Sequence, residues 1–409
     1  MSQHSSRRVV IVGASLGGLR TAEALRAAGF EEPITLVGEE PGLPYDRPPL
    51  SKQVLAGAWS PDDVTLCGKA DLDALDVDQR LGCRATAVEE GRVILGSGES
   101  VPFSDLVIAT GVAARRLPDQ PDGERIHVLR TLDDSIRLRD HLRRSRSLVV
   151  VGGGFIGAEV AAVARGQGLD VTMVEVLPTP FARALGTEVG QRCAQLHLDH
   201  DTRIIVNALV TKFEESDGGA RVTLGDGRVL EADCVLVGVG TSPNTRWLSG
   251  LGVDFSDGVP CDEGGRVDGR ENVFAVGDVA AWHSPTYGHR HRVEHWTSAG
   301  EQARTVAHNL AGKPPRRNAV QAPYFWSDQY GTKLQLVGRP DLAERVRILE
   351  VPDKPGSVVG TFWRSSRIVA AVTFGAPVVL ARYRPLVTAM ASEEDVRATE
   401  SRLALWPVR

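Results

Sequence analysis

Two glycine-rich turns hold the residues best suited to chemistry in this 409-residue chain. The first closes V-V-I-V-G-A-S-L-G-G, residues 9–18, and the second is G-G-G-F-I-G-A-E, residues 152–159. Each follows a run of β-branched residues, and each opens a helix-compatible stretch. A buried parallel strand that turns sharply into a helix exposes backbone N–H groups able to hold a pyrophosphate. In the first turn Gly13 permits the tight bend and Gly18 lets strand and helix pack closely, while Ser15 stands where the motif has its middle glycine. In the second, Gly152, Gly154 and Gly157 satisfy the full G-x-G-x-x-G pattern. An acid follows each turn by about twenty residues, where a carboxylate accepts hydrogen bonds from a ribose. These acids are Glu39 and Glu175, each at the end of the next strand, Ile34–Val37 and Val171–Val174. The physical reading is two dinucleotides, one per unit. Glu175 favours a free ribose hydroxyl and repels a 2′-phosphate, so NADH is expected over NADPH.

Other candidates sit at strand ends and in one stiff loop. Prolines 41, 44, 48 and 49 exclude a regular helix over 41–52 and stiffen a segment that carries Arg47 and Lys52. Ligand contact and a solvated loop are equally good readings of that composition. The strand Leu106–Ala109 ends at Thr110-Gly111, a small-residue turn suited to backbone approach by a ligand. A strand within 271–276 delivers Gly277-Asp278 to the edge where parallel sheets bind ligands; Asp278 would meet a sugar or ribityl hydroxyl, or simply cap the next helix. Over 295–312, Ser298 and Glu301 have capping-box spacing, and Ala303, Val306, Ala307 and Leu310 share a helix face.

The elements that position these residues call for more than one core. A chain this long should form two or three domains. The pattern restarts near residue 113, and the tail from about Gln321 changes to antiparallel strands at Lys333–Val337, Arg345–Leu349, Ser357–Trp363 and Ile368–Thr373, with a helix over Ala376–Met390. A net charge of −5 gives no basic footprint for nucleic acid. No apolar run reaches the roughly 20 residues of a membrane span. The polar start M-S-Q-H-S-S-R-R runs into a core strand, so the expected location is cytoplasmic. Five scattered cysteines form no C-x-x-C, and no metal site is expected.

With these motifs in hand the chain resembles the FAD-dependent, NADH-utilising ferredoxin reductases that feed haem-thiolate monooxygenases or Rieske oxygenases. The likeness runs through P-P-L-S-K (48–52), A-T-G (109–111), G-G-G-F-I-G-A-E (152–159), V-G-D (276–278) and Y-F-W-S-D-Q-Y (324–330). It implies an α/β, glutathione-reductase-like fold with two Rossmann-type dinucleotide-binding domains and a small α+β C-terminal domain. The implied boundaries are 1–113 plus 245–320 for FAD, 114–244 for NAD, and 321–409 for the tail. By this resemblance the FAD contacts match Gly17, Glu39, Lys52, Ala85, Arg130, Asp278 and Trp296. The NAD contacts match Gly154, Ile156, Glu159, Glu175 and Gly240. The likeness also implies that Lys52 and Glu159 pair beside the flavin's reactive nitrogen, and that a helix beginning near Trp296 turns its positive N-terminus to the flavin. The partner would be a 2Fe-2S ferredoxin. Basic loops at 289–292 and 313–317 are candidate docking surfaces on an acidic chain.

Two other activities fit the same architecture: an NADH oxidase or quinone-type reductase, and a redox-signalling flavoprotein resembling apoptosis-inducing factor. The long C-terminal insertion of the latter is not seen. Thiol-relay enzymes of this fold need cysteine in the first helix after the FAD turn or its equivalent loop; 41–57 has none, and the nearest, Cys67, lies beyond it.

Overall fold

The computed structural model describes residues 7–317, 322–352, 354 and 356–407. Gln321, where the sequence reading begins its tail, lies outside them. The chain divides into two compact units: residues 1–46, 64–113 and 242–321 form one, and 47–63, 114–241 and 322–409 the other. The cuts at 113/114, 241/242 and 321/322 fall within three residues of the boundaries implied above. The grouping differs: 47–63 and the tail both fall in one unit with 114–241, whereas the implied scheme put 47–63 in the first domain and the tail in a domain of its own.

The first unit is built on Val9–Val12, buried along its whole length. It lies between the parallel strands Ile34–Gly38 and Asp105–Ile108, so β-branched residues meet protein on both faces. Val273–Ala275 and Asp78–Leu81 complete a five-stranded sheet. The helices Leu16–Ala27 and Trp296–Leu310 belong to the same unit. Ala303, Val306, Ala307 and Leu310 are all buried, as their spacing requires. The capping box at Ser298 and Glu301 does not form. The helix starts at Trp296, as the family likeness implies, with His295 as its N-cap, three residues before Ser298, so both residues lie inside it.

The second unit repeats the design. Ser147–Val151 is the central strand of a five-stranded parallel sheet, paired with Asp170–Val174 and Cys234–Val237. The helix Phe155–Gly166 follows it. The tail adds a six-stranded antiparallel sheet. That sheet contains the expected strands, each within a residue of its reading, and the helix Pro377–Thr388 follows them in the chain. It also contains Tyr324–Gln329, a strand the aromatic composition did not suggest.

Candidate functional site

In the first turn Gly13 has φ +114°, and a Cβ there would stand 2.1 Å from the Ala109 carbonyl oxygen. A Cβ on Gly18 would meet the Gly13 carbonyl oxygen at 1.8 Å. Both positions therefore exclude any larger residue. A Cβ on Gly17 would pack 3.3 Å from Val276 Cγ2, which brings the turn beside the strand end that carries Gly277 and Asp278. Ser15 is the N-cap of Leu16–Ala27, yet its hydroxyl makes no capping bond, and the first turn holds no acid. The N-terminal N–H groups are left with their positive character, which suits a pyrophosphate.

The remaining first-unit candidates gather unevenly. Thr110 Oγ1 donates to the Asn244 carbonyl at 2.9 Å, and Asn244 Nδ2 returns a bond to the Thr110 carbonyl at 2.9 Å. Gly111 takes φ +62°. Gly277 has φ +76°, and its N–H donates to buried Gln302 Oε1 at 2.8 Å. Asp278 sits in the single 3-10 turn that follows, and its backbone carbonyl accepts from Arg292 at 3.0 Å. Trp296 Nε1 donates to Asp46 at 2.7 Å, and the ring is partly exposed. Glu39 is exposed and pairs with Arg84 at 3.2 Å, next to Ala85, whose strand lies in a separate three-stranded sheet.

The second turn repeats the cradle. Gly152 has φ +103°, with a Cβ position 2.4 Å from the Gly238 carbonyl oxygen. The Gly157 Cβ position lies 2.3 Å from the Gly152 carbonyl oxygen. Around Gly154 and Gly240 a Cβ would meet only open space. Ile156, in the first turn of this helix, is 44% exposed. Glu175 is buried; it accepts from Gly153 N–H at 2.7 Å and Leu177 N–H at 2.9 Å. Each of its oxygens keeps a lone pair for a ribose hydroxyl. The glycines and acid-free helix starts at both turns, with the open space around Gly154 and Gly240 at the second, fit dinucleotides.

Lys52 and Glu159 meet. Lys52 joins the short turn Pro48–Ser51 to the helix Gln53–Ala56. Buried Leu50, Val54 and Leu55 anchor this segment; Ser135 donates to the Leu50 carbonyl at 2.6 Å, and Arg47 to the Arg130 carbonyl at 2.7 Å. Lys52 Nζ then donates to Glu159 Oε2 at 2.7 Å, with side-chain exposures of 12% and 2%. Ser51 Oγ donates to the same oxygen at 2.5 Å and Ser327 Oγ to Oε1 at 2.5 Å. The carboxylate is thus met by three donors, the condition under which a buried charge is tolerable.

Residues 7–303 match the family model described as pyridine nucleotide-disulphide oxidoreductase, and 324–407 the one described as reductase C-terminal. The chain belongs to this family. The oxidoreductase is 34% identical, over 97% of its length and 98% of the relative's, to the anthranilate 1,2-dioxygenase system ferredoxin–NAD(+) reductase component of Burkholderia cepacia. It is 34% identical to putidaredoxin reductase of Pseudomonas putida over 94% of its own chain and 92% of that one. Its fold superposes with a TM-score of 0.89 on the reductase of a covalent putidaredoxin reductase–putidaredoxin complex, at 31% identity, covering 97% and 99% of the two chains.

The disulphide in the family's description has no counterpart among the described residues. All five are free, and burial pushes the thiols of Cys67, Cys193, Cys234 and Cys261 up. One group, His127, His141 and Cys234, could offer three metal-ligating atoms within 4.8 Å of one another. As placed, His127 Nε2 and His141 Nδ1 share a proton at 2.7 Å. A tetrahedral ion with bonds of about 2.0–2.1 Å would hold them about 3.3 Å apart. The trio is a satisfied imidazole pair beside a buried thiol.

Sequence reasoning missed Ser51, Ser327, Gln329 and His197. Ser327 and Gln329 do carry a signal: residues two apart in a strand share a face, and here both polar side chains are buried. The basic loops also read differently in three dimensions. Arg290 pairs with Asp268 at 2.6 Å, and Arg292 with Asp257 at 3.1 Å and Glu294 at 2.7 Å. A cavity of about 410 Å³ lies beside them, lined by the cations Arg266, Arg290, Lys313, Arg316 and Arg317 and the acids Asp262 and Glu263.

Proposed function

We propose that this oxidoreductase takes hydride from NADH onto FAD and passes single electrons to a 2Fe-2S ferredoxin serving a haem-thiolate monooxygenase or Rieske oxygenase. The observation that carries the reading is a pair of glycine cradles, one per unit, joined in one chain to a buried Lys52–Glu159 ion pair. Bound flavin would supply the conversion between a two-electron donor and a one-electron acceptor. The chain's part is to bind, orient and stabilise charge. Gly13, Ser15, Gly17 and Gly18 present backbone N–H groups to the FAD pyrophosphate, with Glu39 on its ribose. Thr110, Gly111, Gly277 and Asp278 line its path, and Arg47, Ala85, Arg130 and Trp296 complete the contact set. Gly152, Gly154 and Gly157 hold NADH, Glu175 its ribose, and Ile156 and Gly240 flank it. Lys52 holds a positive charge for the flavin's reactive nitrogen, and Glu159 orients that ammonium.

This reading assigns the enzyme to the cytoplasm, a reducing compartment that suits free cysteines. Among the described residues no helix is long and apolar enough to cross a membrane. Lys313 and Arg316 are the better placed cations for an acidic ferredoxin, because the charges of Arg290 and Arg292 are met by acids within the chain.

One assay tests the proposal. Purified protein is supplied with NADH or NADPH, with and without a 2Fe-2S ferredoxin, and cytochrome reduction is followed. NADH-specific, ferredoxin-dependent reduction is expected. NADH oxidation that is equally fast without ferredoxin and consumes oxygen, with no cytochrome reduced, would assign an oxidase.

A further inference from the structure

Glu159 is one end of a continuous buried string of polar side chains. Gln329 Nε2 donates to Ser327 Oγ at 3.0 Å, and Gln329 Oε1 faces His197 Nε2 at 3.0 Å. His197 Nδ1 faces the Tyr330 hydroxyl at 3.2 Å, which meets Thr202 Oγ1 at 2.9 Å. Ser327, Gln329, His197 and Thr202 are all buried.

The chemistry of the donors orders this string in one direction. An ionised carboxylate only accepts, so Ser327 must donate to it. The Ser327 oxygen then accepts from the Gln329 amide, which leaves Gln329 Oε1 for His197. His197 must carry its proton on Nε2 and accept on Nδ1 from Tyr330. The Tyr330 oxygen is left to accept from Thr202. A neutral imidazole is required, and burial holds His197 neutral by pushing it down to about 4. Reversing any link would leave a buried group unmatched.

The far end is held in place against a backbone cost. Tyr330 takes φ +50° and Gly331 φ +72° in the two-residue turn between the strands Tyr324–Gln329 and Thr332–Gly338. A bulky residue in the left-handed region is strained, and asparagine or glycine is usual there. The ring stacks on His200, with centroids 3.9 Å apart, and keeps the hydroxyl on His197.

We infer that Ser327, Gln329 and His197 are positioning residues that hold Glu159 as an accepting carboxylate and through it fix the Lys52 ammonium. This rests on the reading of Lys52 and Glu159 as the pair that serves the flavin.

The test is stopped-flow reduction of the bound flavin by NADH in full-length, FAD-loaded protein, comparing Ser327→Ala, Gln329→Leu and Glu159→Gln. Losing a bond to a charged acceptor should lower the limiting rate roughly tenfold in Ser327→Ala, with the half-saturating NADH concentration and FAD content unchanged. Gln329→Leu should lower it less, in the same direction. If Glu159→Gln is slow while both string variants reduce at the wild-type rate, the positioning role is overturned and the ion-pair reading stands. Wild-type rates in Glu159→Gln overturn both. Should Ser327→Ala fail to hold FAD, Gln329→Leu, one link further from the carboxylate, decides alone.

Discussion

Lys52 Nζ stands 2.7 Å from Glu159 Oε2, and the two residues are 107 positions apart in the chain. Both side chains are largely buried, so neither charge can recover its solvation if the other is removed. Glu159→Ala should therefore cost about 3 kcal/mol of stability. It should also slow flavin reduction by NADH by roughly 10- to 100-fold, because the ammonium loses its orientation. Thermal unfolding and stopped-flow absorbance measure the two effects separately. Unchanged reduction would remove the pair from the chemistry.

The two glycine cradles can be separated by substitution. Gly157→Ala places a methyl 2.3 Å from the Gly152 carbonyl oxygen and should raise the half-saturating NADH concentration while FAD stays bound. Ser15→Gly should leave FAD content unchanged, since the hydroxyl caps nothing and glycine at an N-cap costs only a few tenths of a kcal/mol. Flavin absorbance per protein and NADH titration read both. Loss of flavin from Ser15→Gly would show that its hydroxyl binds the cofactor.

Glu175 should set the preference for NADH. Its removal takes away ribose acceptors and the repulsion of a 2′-phosphate. Glu175→Gln keeps an acceptor for one of the two backbone N–H groups, of Gly153 and Leu177, that Glu175 now satisfies with separate oxygens. The ratio of kcat/KM for NADPH over NADH should rise about tenfold, the effect of roughly 1.4 kcal/mol. A ratio equal to wild type would place the ribose elsewhere.

Docking is expected to be electrostatic and local. Charge reversal at Lys313 and Arg316 should weaken cytochrome reduction through ferredoxin several-fold at low salt and leave ferricyanide reduction unchanged, the difference fading as salt screens it. Reversal at Arg290 or Arg292 also breaks pairs with Asp268 or Asp257 and should lower stability too. Equal losses in both assays would argue against this face.

Stability should fall in mild acid. Burial pushes His197 and His127 down to about 4 from an ordinary value of 6.5. Between those values the unfolded chain binds protons that the folded chain refuses, so stability is full above pH 6.5 and declines as pH drops toward 4. For fully buried His197 the loss is on the order of 3 kcal/mol. Urea midpoints across this range should fall less steeply in His197→Asn than in wild type. A parallel pH dependence would show that the imidazole is protonated in the fold.

The sequence by itself determined both glycine cradles. A bend that only glycine permits, a strand before it, a helix after it and an acid some twenty residues on are short-range requirements, and linear spacing records them. It also recorded the alternation of the tail strands. One local rule failed. The Ser298–Glu301 spacing promised a helix start, but the helix begins at Trp296, whose indole is tied to Asp46, 250 positions away. Only the tertiary structure decided that Glu159 faces Ser51, Lys52 and Ser327. Those contacts depend on how Leu50, Val54 and Leu55 pack and on which edge of the tail sheet turns inward. Packing of surfaces far apart in the chain leaves no periodic trace in it.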